Sequence, residues 1–384
     1  MAVLNAWQRP DRVLSGKMWG DAKDGSATIS SCPNTVATVS GTATQYTGVA
    51  GSTAFADGDL VILWQTQGTG YGQWEFNMVV SGGGTTSLVF KTALQYTYGT
   101  GAQIIKVPRY TTATVSAHSI EAWNGSVGGV EVIVAKTNIS INGAINGVAG
   151  YLGAASHPVP PIDTPGTQGE GTAGPRGSTS VNANGNGGGA GQWASENKGT
   201  SGGGGGGNAT AGATAPTAYQ NGGSSAGGTG GIAVGASDLI TICLGGGGGS
   251  GACNASGGGG AGGMGGGILI LISKTITIGA GVSVNGVVGS NGWVNGAGGG
   301  GGAGGSILVV CETATLGTNN ATATAGGAGT GTDQTTAPNG GAGSAGRIAI
   351  HHKGTVSGST SPAYTDVSDA TLFEKGGIPN VLII

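Results

Sequence analysis

Short apolar runs alternate along the chain with polar or glycine-rich stretches, and no stretch repeats its apolar residues at helical spacing. Strand-sized runs include Leu60–Trp64, Trp74–Val80 and Ile268–Ile272. Runs of this length, rich in β-branched residues and bounded by turn residues, are typical of strands. The pattern therefore predicts an all-β protein with almost no helix.

Residues 41–127 read as a β domain of ordinary composition. Ser87–Phe90 and Gln103–Val107 add two predicted strands, and the three glycines at 82–84 predict a hairpin connection. The preceding residues, 1–40, are turn-rich and contain Trp7 and Trp19. We expect this first segment to serve attachment or oligomerisation.

A recurring unit begins at Gly128, where a glycine pair opens the apolar run Val130–Val134 and an alternating strand follows. The same order returns near Ile268, Ile307 and Ile348, about 40 residues apart. Such spacing predicts stacked units, none of which buries its apolar face alone. We therefore expect residues 128–354 to form a glycine-rich, solenoid-like scaffold domain.

Blocks of glycine separate these strands, with six at 202–207, five at 245–249, four at 257–260 and five at 298–302. Polyglycine can adopt an extended helix of three residues per turn, and runs without side chains can approach until their backbone groups pair. A solvated linker would not need to exclude charge, yet only six charged residues lie between positions 177 and 346. They are Glu196, Lys198, Asp238, Lys274, Glu312 and Asp333. The blocks therefore predict a packed scaffold of the polyglycine II type.

The composition supports order and limits the partners. Glycine supplies 88 of 384 residues, but 37% of the residues are hydrophobic and the net charge is −3, which is not the signature of disorder. So small a charge offers no field for nucleic acid or an anionic membrane, and no apolar run approaches the ~20 residues of a membrane span. The first residues lack the features of a secretory signal. We expect a chain made in a cytoplasm, with no nucleic-acid partner and no membrane insertion.

Four cysteines show neither a Cys-x-x-Cys pair nor a metal-ligand spacing: Cys32, Cys243, Cys253 and Cys311. Buried free thiols are expected for a chain folded in a reducing compartment. A pairing of Cys243 with Cys253 across a glycine block stays open at this point.

Enzymatic chemistry would need paired carboxylates ~5–10 Å apart to cleave a glycan. Asp57 and Asp59 lie two residues apart, and Glu121 and Glu131 could meet across neighbouring strands. The Asp-Gly-Asp context is more typical of a turn. We expect no enzymatic activity, and a polysaccharide depolymerase is the enzymatic alternative.

Calcium is suggested by acidic side chains on two glycine-bearing loops, which are hard oxygen ligands. These weak candidates are Asp21, Asp24, Asp57 and Asp59. Neither loop has a complete calcium-binding pattern, so turn capping is the favoured interpretation and no cofactor is expected. The adjacent His351 and His352 would point to opposite faces of a strand and predict a solvated pair.

Aromatic residues are rare in the glycine-rich region, where Trp193, Tyr219 and Trp293 occupy polar loop contexts. Exposed aromatics on the loops of a rigid scaffold are typical recognition elements. We predict receptor-binding loops at about 186–226, 286–297 and 327–340. Packing of these rings between layers is the alternative.

The last residues, 355–384, form a predicted tail or cap that ends on bare hydrophobes. A free apolar terminus promotes aggregation, so we expect it to be capped or buried between subunits. The predicted oligomerisation contacts, in a trimer or a filament, are Trp7, Trp19, Leu382, Ile383 and Ile384.

Several motifs resemble those of glycine-rich phage tail-fibre or adhesin proteins and bacterial surface proteins. They are Trp123-Asn-Gly125, Gly128-Gly-Val130, Asn138–Gly143, the later glycine-rich strand units, Asp57-Gly-Asp59 and the upstream Gly20–Gly25 segment. The resemblance covers about residues 19–350. It implies adhesion or host recognition, with a cell-surface glycan or outer-membrane receptor and other virion proteins as partners.

We therefore expect a receptor-binding component of a phage tail fibre, located in the virion or else at a cell surface. The main alternative is the repeating subunit of an extracellular filament or sheath. Ice binding would require a flat, regular threonine face, and none is evident in the linear sequence.

Overall fold

The structure, a computed structural model, describes residues 4–15, 17–44, 46–156, 164–193, 199–220, 223–253, 257–333, 335–370 and 372. Strand accounts for 36% of the chain and helix for 2%, which confirms the prediction of an all-β protein. Within these ranges the helical segments are two 3₁₀ turns, Ala6–Gln8 and Pro10–Arg12. Among the described residues no helix has the length and apolar character to cross a membrane.

A short strand, β1 (Ala27–Ile29), precedes a closed barrel of six antiparallel strands. The barrel strands are β2 (Thr35–Thr44), β3 (Thr47–Ala50), β4 (Leu60–Gln65), β5 (Trp74–Ser81), β6 (Ser87–Phe90) and β7 (Ala102–Lys106). They pair in the order β2-β3-β6-β5-β4-β7, and β7 closes on β2. Glycines 82–84 connect β5 to β6, as the sequence predicts.

The remaining strands follow the barrel along the chain. They are β8 (Arg109–Val115), β9 (His118–Ser119), β10 (Val130–Ile141), β11 (Ile145–Asn146), β12 (Ala218–Gln220), β13 (Gly223–Ser225), β14 (Ile268–Ile278), β15 (Val282–Ser283), β16 (Ser306–Cys311), β17 (Thr313–Thr322), β18 (Arg347–His352), β19 (Val356–Ser361) and β20 (Thr365–Ser368). β12 and β13 form a separate hairpin. The others join β1 in a twelve-stranded sheet whose pairings are all parallel.

The repeat in the sequence appears as neighbouring strands of this sheet. Val130 pairs with Ile268, and Ile268 pairs with Ser306. Ile307 pairs with Ile348, whereas Ile268 pairs one residue before Ile307, so the count of isoleucines is offset by one residue only between β14 and β16. Where the sequence predicted a solenoid, the structure therefore shows a parallel sheet preceded by a six-stranded barrel.

Two hydrophobic cores lie on the two faces of the first part of the sheet. β10 changes register between Ala135 and Asn138, and after this bend only one of its faces is buried. One core covers the face that stays buried after the register shift and includes Ile139, Ile141 and Ile276. The other joins sheet to barrel, with Trp64 and Trp74 against Val132 and Ile270. A third core fills the barrel itself.

The glycine blocks form a lattice of extended runs, seen most clearly around residues 245–253. Every backbone N–H in this run donates a hydrogen bond, and the acceptors change with a period of three. Residues 245, 248 and 251 donate to the run at 260–266; 246, 249 and 252 donate to 201–207; and 247, 250 and 253 donate to 164–170. A period of three is that of an extended helix with three residues per turn.

Three further runs donate back to the carbonyls of the same central run. They come from residues 151–154, 188–191 and 297–303, again at intervals of three. The central run thus has six neighbours, and backbone groups of these neighbours bind all nine of its N–H groups and all of its carbonyls except that of Gly251. All of its residues are buried. A Cβ atom on Gly246 would overlap the carbonyl oxygen of Asn186, and one on Gly248 the carbonyl oxygen of Gly300.

Candidate functional site at the tip of the glycine lattice

The runs of the lattice turn back at one end, and this end carries all three predicted recognition aromatics. We define the tip as the described residues of the turns at 192–201, 216–226, 291–297 and 330–338. Backbone hydrogen bonds connect these turns, because the Thr200 N–H donates to the Thr336 carbonyl and the Tyr219 N–H to the Thr335 carbonyl, both at 2.8 Å. The Thr200 hydroxyl donates to the Asn295 carbonyl at 3.2 Å. Loops far apart in sequence therefore form one surface.

Trp293 is the most exposed large apolar side chain of the tip, at 65%. Its backbone forms a bridge with Gly258, which fixes the position of the turn. Val294 and Asn295 follow with φ values of 32° and 55°. A positive φ is rare for a β-branched residue and costs free energy, so the surrounding contacts must hold this turn in place. Strain of this kind often marks a functional turn.

Tyr219 projects from the hairpin β12–β13 and is 59% exposed. The hairpin is tied to its neighbours by the Tyr219 N–H and by the Ser225 hydroxyl, which donates to the Gly199 carbonyl at 2.9 Å. The phenol ring is therefore presented from an anchored backbone. Trp193 lies in the adjacent turn, where its backbone bridges Thr200, but its side chain is half-buried.

Asp333 organises the fourth turn of the tip. Its carboxylate accepts hydrogen bonds at 2.8 Å from the N–H groups of Thr335 and Thr336. These two bonds lower the pKa of Asp333 and keep it ionised. Asp333 is the one charged side chain among the described residues of the tip. The surface is otherwise neutral and rich in hydroxyl, amide and aromatic groups.

The sequence identified the three aromatics and the loop ranges but not the residues that connect them. Thr200, Thr335 and Thr336 carry no motif, and nothing in the sequence indicates the positive φ of Val294. Their roles arise from hydrogen bonds between loops more than 100 residues apart in the chain, as from Thr200 to Thr336.

The acidic residues proposed for catalysis do not form an exposed pair. Glu131 is fully buried, and both of its oxygens lie 3.0 Å from Nε2 of His118, whereas Glu121 is exposed. Nδ1 of His118 lies 2.9 Å from the Ser116 carbonyl oxygen. Both ring nitrogens lie within hydrogen-bond distance of oxygen atoms, which favours the protonated imidazole, and the hydrogen bond to Glu131 raises the pKa of His118. Burial raises the pKa of Glu131.

The four candidate calcium ligands bind groups of the protein itself. Asp21 accepts a hydrogen bond from the Arg109 guanidinium at 3.0 Å, and Asp24 accepts one from the Arg109 N–H at 2.7 Å. Asp57 accepts from the Gly83 N–H, and Asp59 pairs with Lys106 at 2.9 Å. Among the described residues no group of three metal-ligating side chains converges.

The prediction of a solvated pair at His351 and His352 is wrong. His351 is fully buried and His352 is 9% exposed, because β18 lies inside the sheet between β16 and β20. Nε2 of His351 contacts the Asp238 carbonyl oxygen at 2.7 Å, and burial lowers its pKa. Nε2 of His352 contacts Asp366 at 2.6 Å. Both side chains serve the packing of the sheet end.

All four cysteines are free, in agreement with the expected thiols. Cys243 and Cys253 lie at opposite ends of the central glycine run and are both buried. Burial raises the pKa of Cys32 to about 11 and of Cys243 and Cys311 to about 12, so these thiols are protonated at neutral pH and are poor nucleophiles.

The candidate oligomerisation residues near the start of the chain contact the chain itself. Trp7 is half-buried and donates from Nε1 to the Tyr96 hydroxyl at 3.2 Å. Trp19 is half-buried and packs against the core that joins sheet and barrel. Leu382, Ile383 and Ile384 lie outside the described residues.

No protein-family model, curated protein or solved structure matches this chain. The geometry of the tip is therefore the basis for a functional inference.

Proposed function

We propose that this protein is a non-enzymatic adhesion protein of the phage tail-fibre type, and that its tip binds a bacterial cell-surface glycan. The observation that carries the proposal is the pair of exposed aromatic side chains, Trp293 and Tyr219, on anchored turns of one surface whose described residues include a single charged side chain, Asp333. Such rings cost free energy in water unless a ligand covers them.

The chemistry of the tip suits a weakly charged sugar. Aromatic faces pack against the apolar C–H faces of sugar rings, while the side-chain amides of the exposed Asn295 and the half-buried Gln192 are of the kind that bind sugar hydroxyls. Asp333 can accept hydrogen bonds but its charge opposes a polyanionic ligand. A neutral or weakly charged polysaccharide therefore fits better than an acidic one.

The lattice gives the tip its rigidity. We interpret the six-neighbour arrangement of glycine runs as a polyglycine II scaffold, stacked on a sheet that winds in the manner of a solenoid. A binding surface held in place before the ligand arrives loses little conformational entropy on binding. The glycine runs therefore hold the tip in place, while the aromatic and amide side chains of the tip turns make the contacts with the ligand.

The barrel lies at the other end of the central run. The Trp64 indole N–H donates to the Ile242 carbonyl at 3.1 Å, next to the start of the run, whereas Cys253 bridges Thr164 at the tip end. Nine extended residues separate these ends by roughly 28 Å. This polarity suits an adhesin that docks on other virion proteins through the barrel and exposes its tip to the cell.

Binding to an array of bacterial surface polysaccharides tests the proposal. Truncation of a central aromatic anchor commonly costs about 1–2 kcal/mol or more, so Trp293→Ala and Tyr219→Ala should each weaken binding at least roughly fivefold. Both side chains are exposed, so both variants should keep the wild-type urea midpoint.

Tyr46→Ala is the matched control, since Tyr46 is 50% exposed but belongs to the barrel. It should bind like the wild-type protein. Equal binding by the wild-type and both folded tip variants would exclude the tip as the receptor site. Release of reducing sugar from a bound polysaccharide would instead support the depolymerase alternative.

A further inference from the structure

One outer face of the parallel sheet carries a two-row array of small polar side chains. In the strand segments that pair with or lie beside the second part of β10, the inward residues Ala113, Ile139, Ile276 and Ala314 are buried in the core. The residues on either side of them point outward. In every one of these four strands, both outward residues are threonine, serine or asparagine.

The strand register places these residues in straight rows across the sheet. The first row is Thr112, Asn138, Thr275 and Thr313, each paired with the next. The second row is Thr28, Thr114, Ser140, Thr277, Thr315 and Ser357, again paired in sequence. The array therefore spans six strands, from β1 to β19, that come from distant parts of the chain.

The spacing of the array follows from strand geometry. Neighbouring strands lie ~4.8 Å apart, and residues two apart on one strand are separated by ~6.6 Å. Threonine has few side-chain rotamers, because its β-branched side chain is stiff at χ1. Hydroxyl and methyl groups thus repeat on a two-dimensional grid over a length of roughly 24 Å.

The hydroxyls of the array are largely free to bind a ligand. Within the described part of the chain, Thr28, Thr114, Thr275, Thr277, Thr313 and Thr315 donate no side-chain hydrogen bond, and all six are exposed or half-exposed. Among the described residues, side chains of the array donate three hydrogen bonds to other groups of the protein. Thr112 donates to Ser26 at 2.8 Å, Asn138 to Ser140 at 2.7 Å, and Ser357 to the Ala314 carbonyl at 3.4 Å.

None of the ten positions carries a charged side chain. The nearby charged residues lie beside the first row, where Lys274 and Glu312 directly precede Thr275 and Thr313. There Lys274 pairs with Glu312 at 3.6 Å, and Lys136 and Lys353 are exposed. The array is thus complementary to an uncharged ligand. A single small molecule would contact two or three strands, so a pattern that holds over six strands suits a ligand that is itself periodic.

We propose that this array is an ice-binding surface. Water oxygens repeat in the faces of hexagonal ice at spacings close to those of the grid, so ordered waters on the hydroxyls and methyls can join the crystal. The ligand is an ice surface, which is uncharged and periodic in two dimensions. The site is separate from the tip and does not depend on the proposed adhesion function.

Ice-affinity partitioning of the full-length protein tests the proposal, together with the shape of single ice crystals grown in its presence. The wild-type protein should enter a slowly growing ice hemisphere and produce faceted crystals. Thr277→Lys places a long charged side chain in the middle of the second row, and should reduce the fraction in ice at least tenfold.

Thr47→Lys is the control, because it makes the same change at an exposed strand position of the barrel. It should partition like the wild-type protein, and circular dichroism should show that both variants are folded. Exclusion of the wild-type protein from ice would overturn the proposal, and so would equal partitioning of Thr277→Lys. Adsorption to powdered crystalline polysaccharide but not to ice, lost in Thr277→Lys, would also overturn it.

Discussion

At the scale of single residues, the lattice selects glycine by close approach rather than by flexibility. Gly248 and its neighbours in the central run do not adopt the left-handed conformation that favours glycine. They are glycine because a carbonyl oxygen of an adjacent run occupies the space of the missing Cβ. The sequence shows that the glycine-rich region carries little charge. It does not show which run packs against a given glycine.

Replacement of one lattice glycine should therefore be costly. Gly248→Ala would force the Cβ against the Gly300 carbonyl, and overpacking a tight interior typically costs about 1–3 kcal/mol. Urea denaturation should show this loss. Gly281→Ala is the control, since nothing lies within 4 Å of the position that its Cβ would take and its φ is not positive. It should be neutral or slightly stabilising, and equal losses in both variants would contradict the lattice.

Exposure of Trp293 and Tyr219 could be predicted, whereas the partial burial of Trp193 and the burial of the two histidines could not. Trp293 and Tyr219 stand in polar loops, so no apolar neighbour in the sequence was available to cover them. His351 and His352 are the last residues of β18, and β20, from further along the chain, pairs with that strand. Pairing with a strand from later in the chain cannot be recognised from the residues around His351 and His352.

At the scale of elements, strand positions followed from the sequence and their partners did not. Leu60–Gln65 and Ser87–Phe90 appear at or within one residue of their predicted bounds. Closure of the barrel depends on β2 pairing with β7, which are separated by most of the domain. Pairing at that distance is set by packing of the whole barrel, so periodicity along the chain does not reveal it.

The contact between β9 and β10 predicts a pH dependence of stability. The buried His118–Glu131 pair has a raised pKa on both partners, so the folded protein binds more protons than the unfolded chain. The His118 contribution is fully present below its unfolded pKa of about 6.5 and is lost as pH rises through its higher folded pKa. Glu131 acts in the same direction at lower pH.

The wild-type urea midpoint should therefore be lower at about pH 8.5 than at about pH 6, and His118→Gln should reduce this difference. In the variant the buried Glu131 would have no cationic partner. The urea midpoint of His118→Gln should therefore also be lower than that of the wild-type protein at about pH 6. A wild-type midpoint that rises with pH across this interval would contradict the protonated state of His118.

At the scale of the whole molecule, the barrel, the parallel sheet and the glycine lattice together hold the turns of the tip in place. The cores fix the sheet, the sheet aligns the glycine runs, and the runs place the tip turns side by side. The sequence predicted a scaffold with displayed loops. It could not show that these loops meet, because each is brought to the tip by a different run.

Hydrogen exchange of the backbone amides, followed by mass spectrometry on the free full-length protein, tests the central claim that the glycine blocks are an ordered lattice. Every N–H from 245 to 253 donates to another run, so these amides should exchange as slowly as those of β14. The amides of residues 294 and 295, which are exposed and donate no backbone hydrogen bond within the described part of the chain, should exchange much faster. Exchange of residues 245–253 at the rate of an unstructured glycine chain would contradict the lattice and the placement of the tip that depends on it.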